Sequence, residues 1–165
     1  MEESLVLHGL YSVKEKYFSD FKKPYWMDNK NEKRPYYYLF KDSDGIDWLI
    51  PMSSKTENYQ AKIERIEAKR GKGNCLYYHI GLIASKQRVF LIGDMFPVDK
   101  SYVKAPFTIG PAHYVVRDRK LNNVLYSKAM RYLQLVEDGQ MKSRNDIMGI
   151  KRILLNKKRE VAFIV

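Results

Sequence analysis

The sequence has one cysteine, three histidines and no long apolar run, and each scarcity argues against a class of protein. Cys75 alone cannot form an internal disulfide, which agrees with a reducing compartment. His8, His79 and His113 show none of the short spacings of zinc ligands, so we expect no metal and no cofactor. No apolar segment approaches the ~18 residues of a membrane-spanning helix, so we expect no membrane partner.

Motifs of common nucleotide-binding and hydrolytic enzymes are also missing. The segment RGKGN at 70–74 is too short for a phosphate-binding loop and lacks its GK[ST] ending. There is no GxSxG motif and no Cys–His signature. Glu2 and Glu3 stand where a secretory signal peptide carries positive charge. We therefore expect a cytoplasmic protein with a single domain over 1–165.

Charge and aromatic content favour a nucleic-acid partner. Lysine and arginine total 30 against 19 acidic residues, for a net charge of +11 and a pI near 9.6. A positive field of this size attracts polyanions, although scattered solubilising charge is an alternative. Several of the 13 tyrosines stand beside cations, as in KEKYF, KKPYW and KRPYYYLF. Such pairs suit unstacked bases and phosphates, but tyrosines also pack on half-buried strands, and both interpretations stay open.

Hydrophobic periodicity predicts one α+β domain with a mostly antiparallel sheet. Turn-rich, basic residues 22–34 are expected to form a long loop of the kind that often carries function. The DSDG segment predicts a hairpin turn, and Pro51 is expected to end the second hairpin strand. The predicted strands are 5–13, 36–41, 46–52, 75–83, 88–93 and 113–117, and the predicted helices are 14–21, 57–70, 121–137 and 144–156.

The segment IPMSSKT offers a candidate site for metal-free RNA cleavage. In that chemistry the 2′-hydroxyl attacks the adjacent phosphate, and the enzyme aligns the groups and stabilises the developing charge with cations and hydroxyl donors. Acid–base help comes from histidine, tyrosine or a lysine with a lowered pKa. Ser53, Ser54 and Lys55 supply such groups where a strand is predicted to end. The same residues could instead form a capped loop that leads into the next helix.

Five segments resemble a known family in their order and spacing over residues 5–137. They are Tyr11-Ser12-Val13 with Lys16-Tyr17, Arg34-Pro35-Tyr36, Ile50-Pro51-Met52-Ser53-Ser54, Gly81-Leu82-Ile83, and a helix containing Tyr and Leu at 121–136. This order is similar to that of the ToxN/AbiQ family of type III toxins, and in particular of its CptN-like branch. Lys33 and Arg34 both compete for the position of one family cation, and Ser53 and Ser54 for that of one family hydroxyl.

The resemblance implies a compact, highly twisted β-sheet or barrel with flanking helices, related to the Kid/MazF toxins. It implies a bacterial phage-defence toxin acting by abortive infection, a metal-independent endoribonuclease that cuts single-stranded, often A-rich RNA and leaves 2′,3′-cyclic phosphates. Cellular mRNA is the implied substrate. The implied inhibitor is an antitoxin RNA of pseudoknot-type repeats, held with the toxin in a closed hetero-oligomer. A non-catalytic basic RNA- or DNA-binding regulator is the alternative.

Candidate site residues follow from the resemblance and the charge pattern together. The catalytic candidates are Ser53, Ser54, Lys55, Tyr17 and Arg34. The RNA-binding candidates come from the first helix, the 22–34 loop and its following strand, the 57–70 helix and the C-terminal helix. They are Lys16, Lys22, Lys23, Tyr25, Trp26, Lys30, Lys33, Tyr36, Lys62, Arg65, Lys69, Arg70, Lys151, Arg152, Lys157 and Lys158.

Overall fold

The computed structural model describes residues 4–164, with side chains described through Val161. Glu2 and Glu3, on which the expectation about a signal peptide rests, lie outside the described residues. In chain order the elements are β1 (Leu10–Val13), α1 (Glu15–Asp20), β2 (Tyr36–Lys41), β3 (Asp47–Ser53), α2 (Thr56–Arg70), β4 (His79–Ile83), β5 (Lys86–Phe90), β6 (Phe96–Val98), β7 (Val103–Pro106), β8 (Thr108–Ile109), β9 (Ala112–His113), α3 (Arg119–Glu137) and α4 (Ile147–Ile164).

An antiparallel sheet of seven strands forms the centre of the fold. Its order is β4-β5-β3-β2-β1-β7, with β6 also paired to β3, and β8 and β9 form a separate small hairpin. The predicted α+β architecture with a mostly antiparallel sheet and flanking helices is confirmed. Within the described residues no pairing joins β4 to β7, so hydrogen bonding leaves the sheet open rather than closed into a barrel.

Most tyrosines belong to the core of this sheet. Seven of the 13 are buried, namely Tyr11, Tyr17, Tyr36, Tyr37, Tyr38, Tyr102 and Tyr132. Their hydroxyls find internal partners, as where Tyr37 donates to Asn122 Oδ1 and Tyr38 to Asp47 Oδ1. A buried phenol needs such a partner, because an unsatisfied polar group in the interior is destabilising. For these seven residues the packing interpretation of the tyrosine-rich sequence is correct.

The prediction that β3 ends at Pro51 is wrong, because the strand continues to Ser53. Proline lacks an N–H and would normally interrupt a central strand. Here Pro51 lies where β3 changes partners: Asp47, Trp48 and Leu49 pair with β6, whereas Met52 and Ser53 pair with β5. The missing donor falls at this exchange, so the strand can extend to the two residues that border the candidate site.

The segment between β5 and α3 also differs from its prediction. Of the strand expected at 113–117, only His113 lies in a strand, β9, and Val115 forms an isolated bridge with Gly9. The short strands β6, β7 and β8 lie in the preceding segment, where no strand was predicted. Each of these strands has two to four residues, which is too few to show a clear alternation of apolar and polar side chains in the sequence. Their importance for the site is that the chain after β7 returns to the side of β1, next to the end of β3.

Helices α3 and α4 cover the sheet and complete the core. The Asp118 side chain accepts a hydrogen bond from the Leu121 N–H, which caps α3 as helix N-termini prefer. From α3, Leu125 and Ala129 are fully buried, and from α4 Ile150 and Leu154 are almost completely buried. Among residues 4–164, no helix combines the length and the apolar character that a bilayer crossing demands.

Candidate functional site

A cleft of about 810 Å³ opens where β3 ends. Four parts of the chain meet there: the 22–34 loop, the start of α2, the β4–β5 hairpin and the segment after β7. Its lining contains five cations, Lys30, Arg34, Lys55, Lys86 and Arg88, against one acid, Asp28. Its apolar lining residues are Pro35, Leu10, Met27, Met52, Ile83, Ala84, Phe107 and Ile109. The cleft can therefore take an anion together with a flat apolar group.

Ser53 lies at the border of this cleft as the last residue of β3. Ser53 is 8% exposed, and its Oγ accepts a hydrogen bond from the Lys55 N–H at 3.2 Å. Such a contact stabilises a turn, as expected for the alternative in which this segment is a capped loop. It uses an oxygen lone pair, so the hydroxyl hydrogen stays available to a second partner. Ser54 and Lys55 also line the cleft, and both are exposed.

Arg34 forms part of the same wall and is held by main-chain oxygens. Its Nε donates to the Asp28 oxygen and its Nη1 to the Met52 oxygen, both at 2.6 Å. The residue is 8% exposed, and no ion pair found among the described side chains includes it. A buried guanidinium without a carboxylate is a favourable partner for an anion with planar oxygens. Lys33, the competing cation, is exposed and does not line the cleft.

The 22–34 loop is fixed by an asparagine that sequence reasoning missed. Asn29 is 4% exposed, and its Nδ2 donates to the Val13 oxygen at 2.8 Å and to Glu15 Oε1 at 2.9 Å. Its Oδ1 accepts from the Tyr36 hydroxyl, and its main-chain oxygen accepts from the Arg34 N–H. An asparagine in a polar loop gives no sequence signal for such a role, since asparagine is common in turns.

Three consecutive residues of this loop have left-handed backbone. The φ angles are 53° at Lys30, 56° at Asn31 and 65° at Glu32. This region is strained for residues with a Cβ, so surrounding contacts must hold it. Glu32 supplies them: its carboxylate accepts from the Glu15 N–H at 2.7 Å and pairs with Lys104 at 3.0 Å. The turn sets Lys30 at the cleft.

The β4–β5 hairpin adds two cations that the sequence analysis did not select. Ala84 and Ser85 have φ angles of 50° and 67°, which suits the tight turn between twisted strands. Lys86 and Arg88 follow two residues apart on β5 and both line the cleft. Alternate residues of a strand share a face, so the pattern Lys-x-Arg was the available signal.

Tyr59, the first aromatic residue of α2, lines the cleft beside these cations. Burial raises its pKa above the usual value and Asp94 raises it further, while Arg144 and Arg34 lower it. The phenol is therefore protonated at neutral pH and can donate a hydrogen bond or a proton. The described residues contain no group of His, Cys, Asp and Glu side chains placed to hold a metal ion.

Two of the predicted site residues belong to the core instead. Tyr17 has no exposed surface, its hydroxyl donates to the Pro97 oxygen at 2.7 Å, and its ring packs against Phe96. Tyr36 is 2% exposed, with its hydroxyl bound to Asn29. A side chain without exposed surface cannot contact RNA, so the catalytic prediction for Tyr17 and the binding prediction for Tyr36 are wrong. Tyr36 has the packing role that strand tyrosines often have, whereas Tyr17 is buried from helix α1.

Lys151 is a third correction. Its Nζ lies 2.9 Å from Asp42 and 2.8 Å from Asp44, and its side chain is 14% exposed. The ammonium therefore ties α4 to the β2–β3 turn and is not free to bind a phosphate. Lys158 also contacts this turn, where its Nζ donates to the Gly45 oxygen at 2.8 Å. The prediction that Lys151 binds RNA is wrong, because a long-range ion pair decides its role.

The other predicted RNA-binding residues lie outside the cleft lining, except Lys30. Lys16 pairs with Asp20, Lys157 donates to the Tyr102 hydroxyl, and the half-buried Trp26 donates to the Phe21 oxygen. Lys23 is half-buried. Lys16, Lys157 and Lys158 are nevertheless exposed, as are Lys22, Tyr25, Lys33, Lys62, Arg65, Lys69, Arg70 and Arg152. For all of these residues, Lys23, Trp26 and Lys30 included, RNA binding stays a prediction.

Comparison with known proteins gives a result at the level of the fold. No protein-family model matches the chain, and no curated protein does. A solved structure described as "A processed non-coding RNA regulates a bacterial antiviral system", whose protein is ToxN, matches with a TM-score of 0.60. The match covers 87% of this chain and 95% of that one, at 15% identity. The chain has the ToxN fold. The α+β fold with an antiparallel sheet and flanking helices is thereby confirmed, whereas the relation to the Kid/MazF toxins and the CptN-like branch stay predictions.

Proposed function

We propose that this chain is the toxin of a type III toxin–antitoxin system that acts in antiviral defence. In this proposal it is a metal-independent endoribonuclease, and its active site is the cationic cleft at the end of β3. The observation that carries the proposal is the pairing, in one cleft of a ToxN fold, of a buried guanidinium without a carboxylate and a strand-end hydroxyl. Arg34 and Ser53 are these two groups.

The proposed reaction is attack by the RNA's own 2′-hydroxyl. A bond forms between the 2′-oxygen and phosphorus while the bond from phosphorus to the 5′-oxygen breaks, which leaves a 2′,3′-cyclic phosphate. The proton lost by the 2′-hydroxyl is balanced by the one that the 5′-oxygen gains. Ser53 Oγ donates to a phosphoryl oxygen, and Arg34 and Lys55 offset the charge that builds there. Ser54 is an alternative donor on the same loop.

Substrate class and partners belong to the same proposal. The substrate is single-stranded RNA, because an open cleft with cations and an apolar wall suits an unpaired nucleotide. That this RNA is A-rich cellular mRNA in the cytoplasm is what the family resemblance implies. The inhibitor is a pseudoknot-type repeat RNA that occupies the cleft within a closed toxin–RNA hetero-oligomer. The relation to Kid/MazF toxins and the response by abortive infection are further parts of the proposal.

An RNase assay of the purified protein tests the proposal. Single-stranded oligonucleotides are incubated with protein in excess EDTA, beside Ser53→Ala protein purified in parallel to exclude a contaminating nuclease. We expect cleavage in EDTA with cyclic phosphate ends, and little with the variant. Loss of activity on chelation, restored by a divalent ion, would refute the mechanism. Binding without cleavage would instead support the non-catalytic regulator.

A further inference from the structure

Three tyrosines outside the core are linked by a series of side-chain and main-chain contacts that begins at the cleft. We call Tyr25, Tyr59 and Tyr78 the tyrosine platform. Tyr59 lines the cleft, and its ring centroid is 4.9 Å from that of Tyr78, with the planes tilted by 57°. Both are half-buried, and Tyr25 is 51% exposed. The platform thus continues the cleft with aromatic surface that the fold leaves partly open.

Two cations accompany these rings. Lys62 Nζ lies 4.7 Å from the centroid of Tyr59 and 5.9 Å from that of Tyr78. The guanidinium of Arg144 lies 5.1 Å from the ring of Tyr25 and binds Asp94 at 2.8 Å. Asp94 follows Gly93, whose N–H donates to the Tyr77 oxygen at 3.0 Å, so this ion pair lies next to the main chain that carries Tyr78. Arg144 therefore links Tyr25 to the segment of Tyr78.

We infer that the tyrosine platform binds unpaired bases of the RNA strand next to the bond that is cleaved, with Lys62 beside their phosphates and Arg144, paired with Asp94, holding Tyr25 in place. The inference rests on the proposed function, since the strand is the one that the cleft holds. Two observations favour RNA as the occupant: the platform is continuous with the cationic cleft through Tyr59, and the exposed Lys62 beside its rings complements a phosphate backbone.

The contact of Lys62 with the two rings is compatible with this role. Lys62 is exposed, and a cation–π contact at an exposed site is weaker than the stacking of a base on an aromatic ring. An arriving base therefore displaces the ammonium, which stays close enough to meet a phosphate. Every base has a stacking face, so the platform adds affinity for single strands and little sequence preference. Paired bases keep their faces within the helix, so a duplex gains nothing from it.

Binding of a non-cleavable strand tests the platform separately from catalysis. A 2′-O-methyl strand of about ten nucleotides has no attacking hydroxyl and is long enough to leave the cleft. Its affinity is measured by fluorescence anisotropy for wild type, Tyr78→Ala, Tyr25→Ala and Tyr78→Phe. Tyr126→Ala is the matched control, because Tyr126 is 50% exposed on α3 and contacts Phe40 rather than the platform. Thermal unfolding of each variant accompanies the titration.

We expect Tyr78→Ala to weaken binding by about fivefold or more, from the usual effect of removing one stacking ring. Tyr78→Phe keeps the ring and should bind like wild type, as should Tyr126→Ala. If Tyr78→Ala fails to fold, the affinity of Tyr25→Ala decides, because Tyr25 is exposed and its replacement should leave the fold intact. Unchanged affinity in both alanine variants, or an equal loss in Tyr126→Ala, would overturn the inference, as would a wild type that does not bind. A wild type that binds this strand but cleaves no RNA would overturn the proposed nuclease and leave the platform standing.

Discussion

The Arg34 guanidinium donates a hydrogen bond to the main-chain oxygen of Met52, at 2.6 Å, immediately before Ser53. The same guanidinium reaches back to the Asp28 oxygen within its own loop. One side chain thus joins the 22–34 loop to the end of β3, and it fixes its charge beside the Ser53 hydroxyl. Because a guanidinium is planar and rigid, the loop and the strand end keep a constant separation.

Replacing Arg34 by lysine tests whether this double contact matters beyond its charge. Lysine keeps the positive charge but cannot reach both oxygens, so one buried carbonyl loses its donor. We expect the free energy of unfolding to fall by about 1–3 kcal/mol and cleavage to slow. Urea denaturation and single-turnover cleavage measure the two effects. Arg131→Lys, at an exposed position of α3, is the control and should change neither. An Arg34→Lys protein that matches wild type in both assays would show that charge alone is needed.

Removing the Ser53 hydroxyl should separate catalysis from binding. We expect Ser53→Ala to slow cleavage on the order of 10²-fold, because one donor to the transition state is lost. Affinity for a non-cleavable RNA should change little, and growth inhibition by the expressed toxin should be relieved. Loss of the contact to the Lys55 N–H lowers stability by only about 1 kcal/mol.

Two comparison variants make the Ser53 test decisive. Ser53→Thr keeps a hydroxyl and should retain most of the activity, whereas Ser127→Ala removes an exposed serine of α3 and should have no effect. Full toxicity of Ser53→Ala would assign the reaction to another group. Ser54, the exposed neighbour in the cleft, would then be the next to replace.

The salt dependence of RNA binding should distinguish cleft cations from structural ones. Each phosphate contact that is removed flattens the logarithmic slope by roughly 0.7 for a single strand. We expect this change for Lys86→Gln, since Lys86 lines the cleft. Lys151→Gln should leave the slope unchanged and lower the melting temperature, because Lys151 pairs with Asp42 and Asp44. If the slope of Lys86→Gln equals that of wild type, the bound RNA lies away from the β4–β5 hairpin.

Stability should fall in acid because of His79. Burial and, to a smaller extent, the nearby Lys128 lower the pKa of His79 from its ordinary 6.5 to about 4. Between these values the unfolded chain binds a proton that the folded chain does not, so the free energy of unfolding rises with pH. The loss on acidification amounts to at most about 3 kcal/mol and is complete near pH 4. His79→Gln should flatten this profile in urea titrations between pH 7 and pH 5. Parallel profiles for the two proteins would contradict the assignment.

The hairpin of β2 and β3 and the helices α2 and α3 were predictable, because their signals are local. The family resemblance also made Ser53 and Arg34 candidates for one site, and both line the cleft. The burial of individual side chains and the makeup of the cleft depend on long-range contacts, which local sequence patterns do not show. Tyr17 looks like a surface residue in KEKYF, yet its ring packs on Phe96, far along the chain.

The same limitation explains the cleft residues that were missed. Arg88 and Phe107 border one cleft, although they belong to segments with separate roles in the sheet. Lys151 shows the opposite error, because a cation in a basic segment found its partners in the β2–β3 turn. Local composition shows how many cations a chain has, whereas the tertiary fold decides which of them are already neutralised.

The left-handed turn at Lys30, Asn31 and Glu32 lowers the stability of the fold but directs the Lys30 side chain to the cleft. Each strained residue costs on the order of 1 kcal/mol, which the unfolded chain recovers. A substitution that let the turn relax would therefore raise the free energy of unfolding, but would change the direction in which the Lys30 side chain leaves the backbone. The loop can be optimised for stability or for starting the Lys30 side chain at the cleft, and the strained backbone of this chain favours the second.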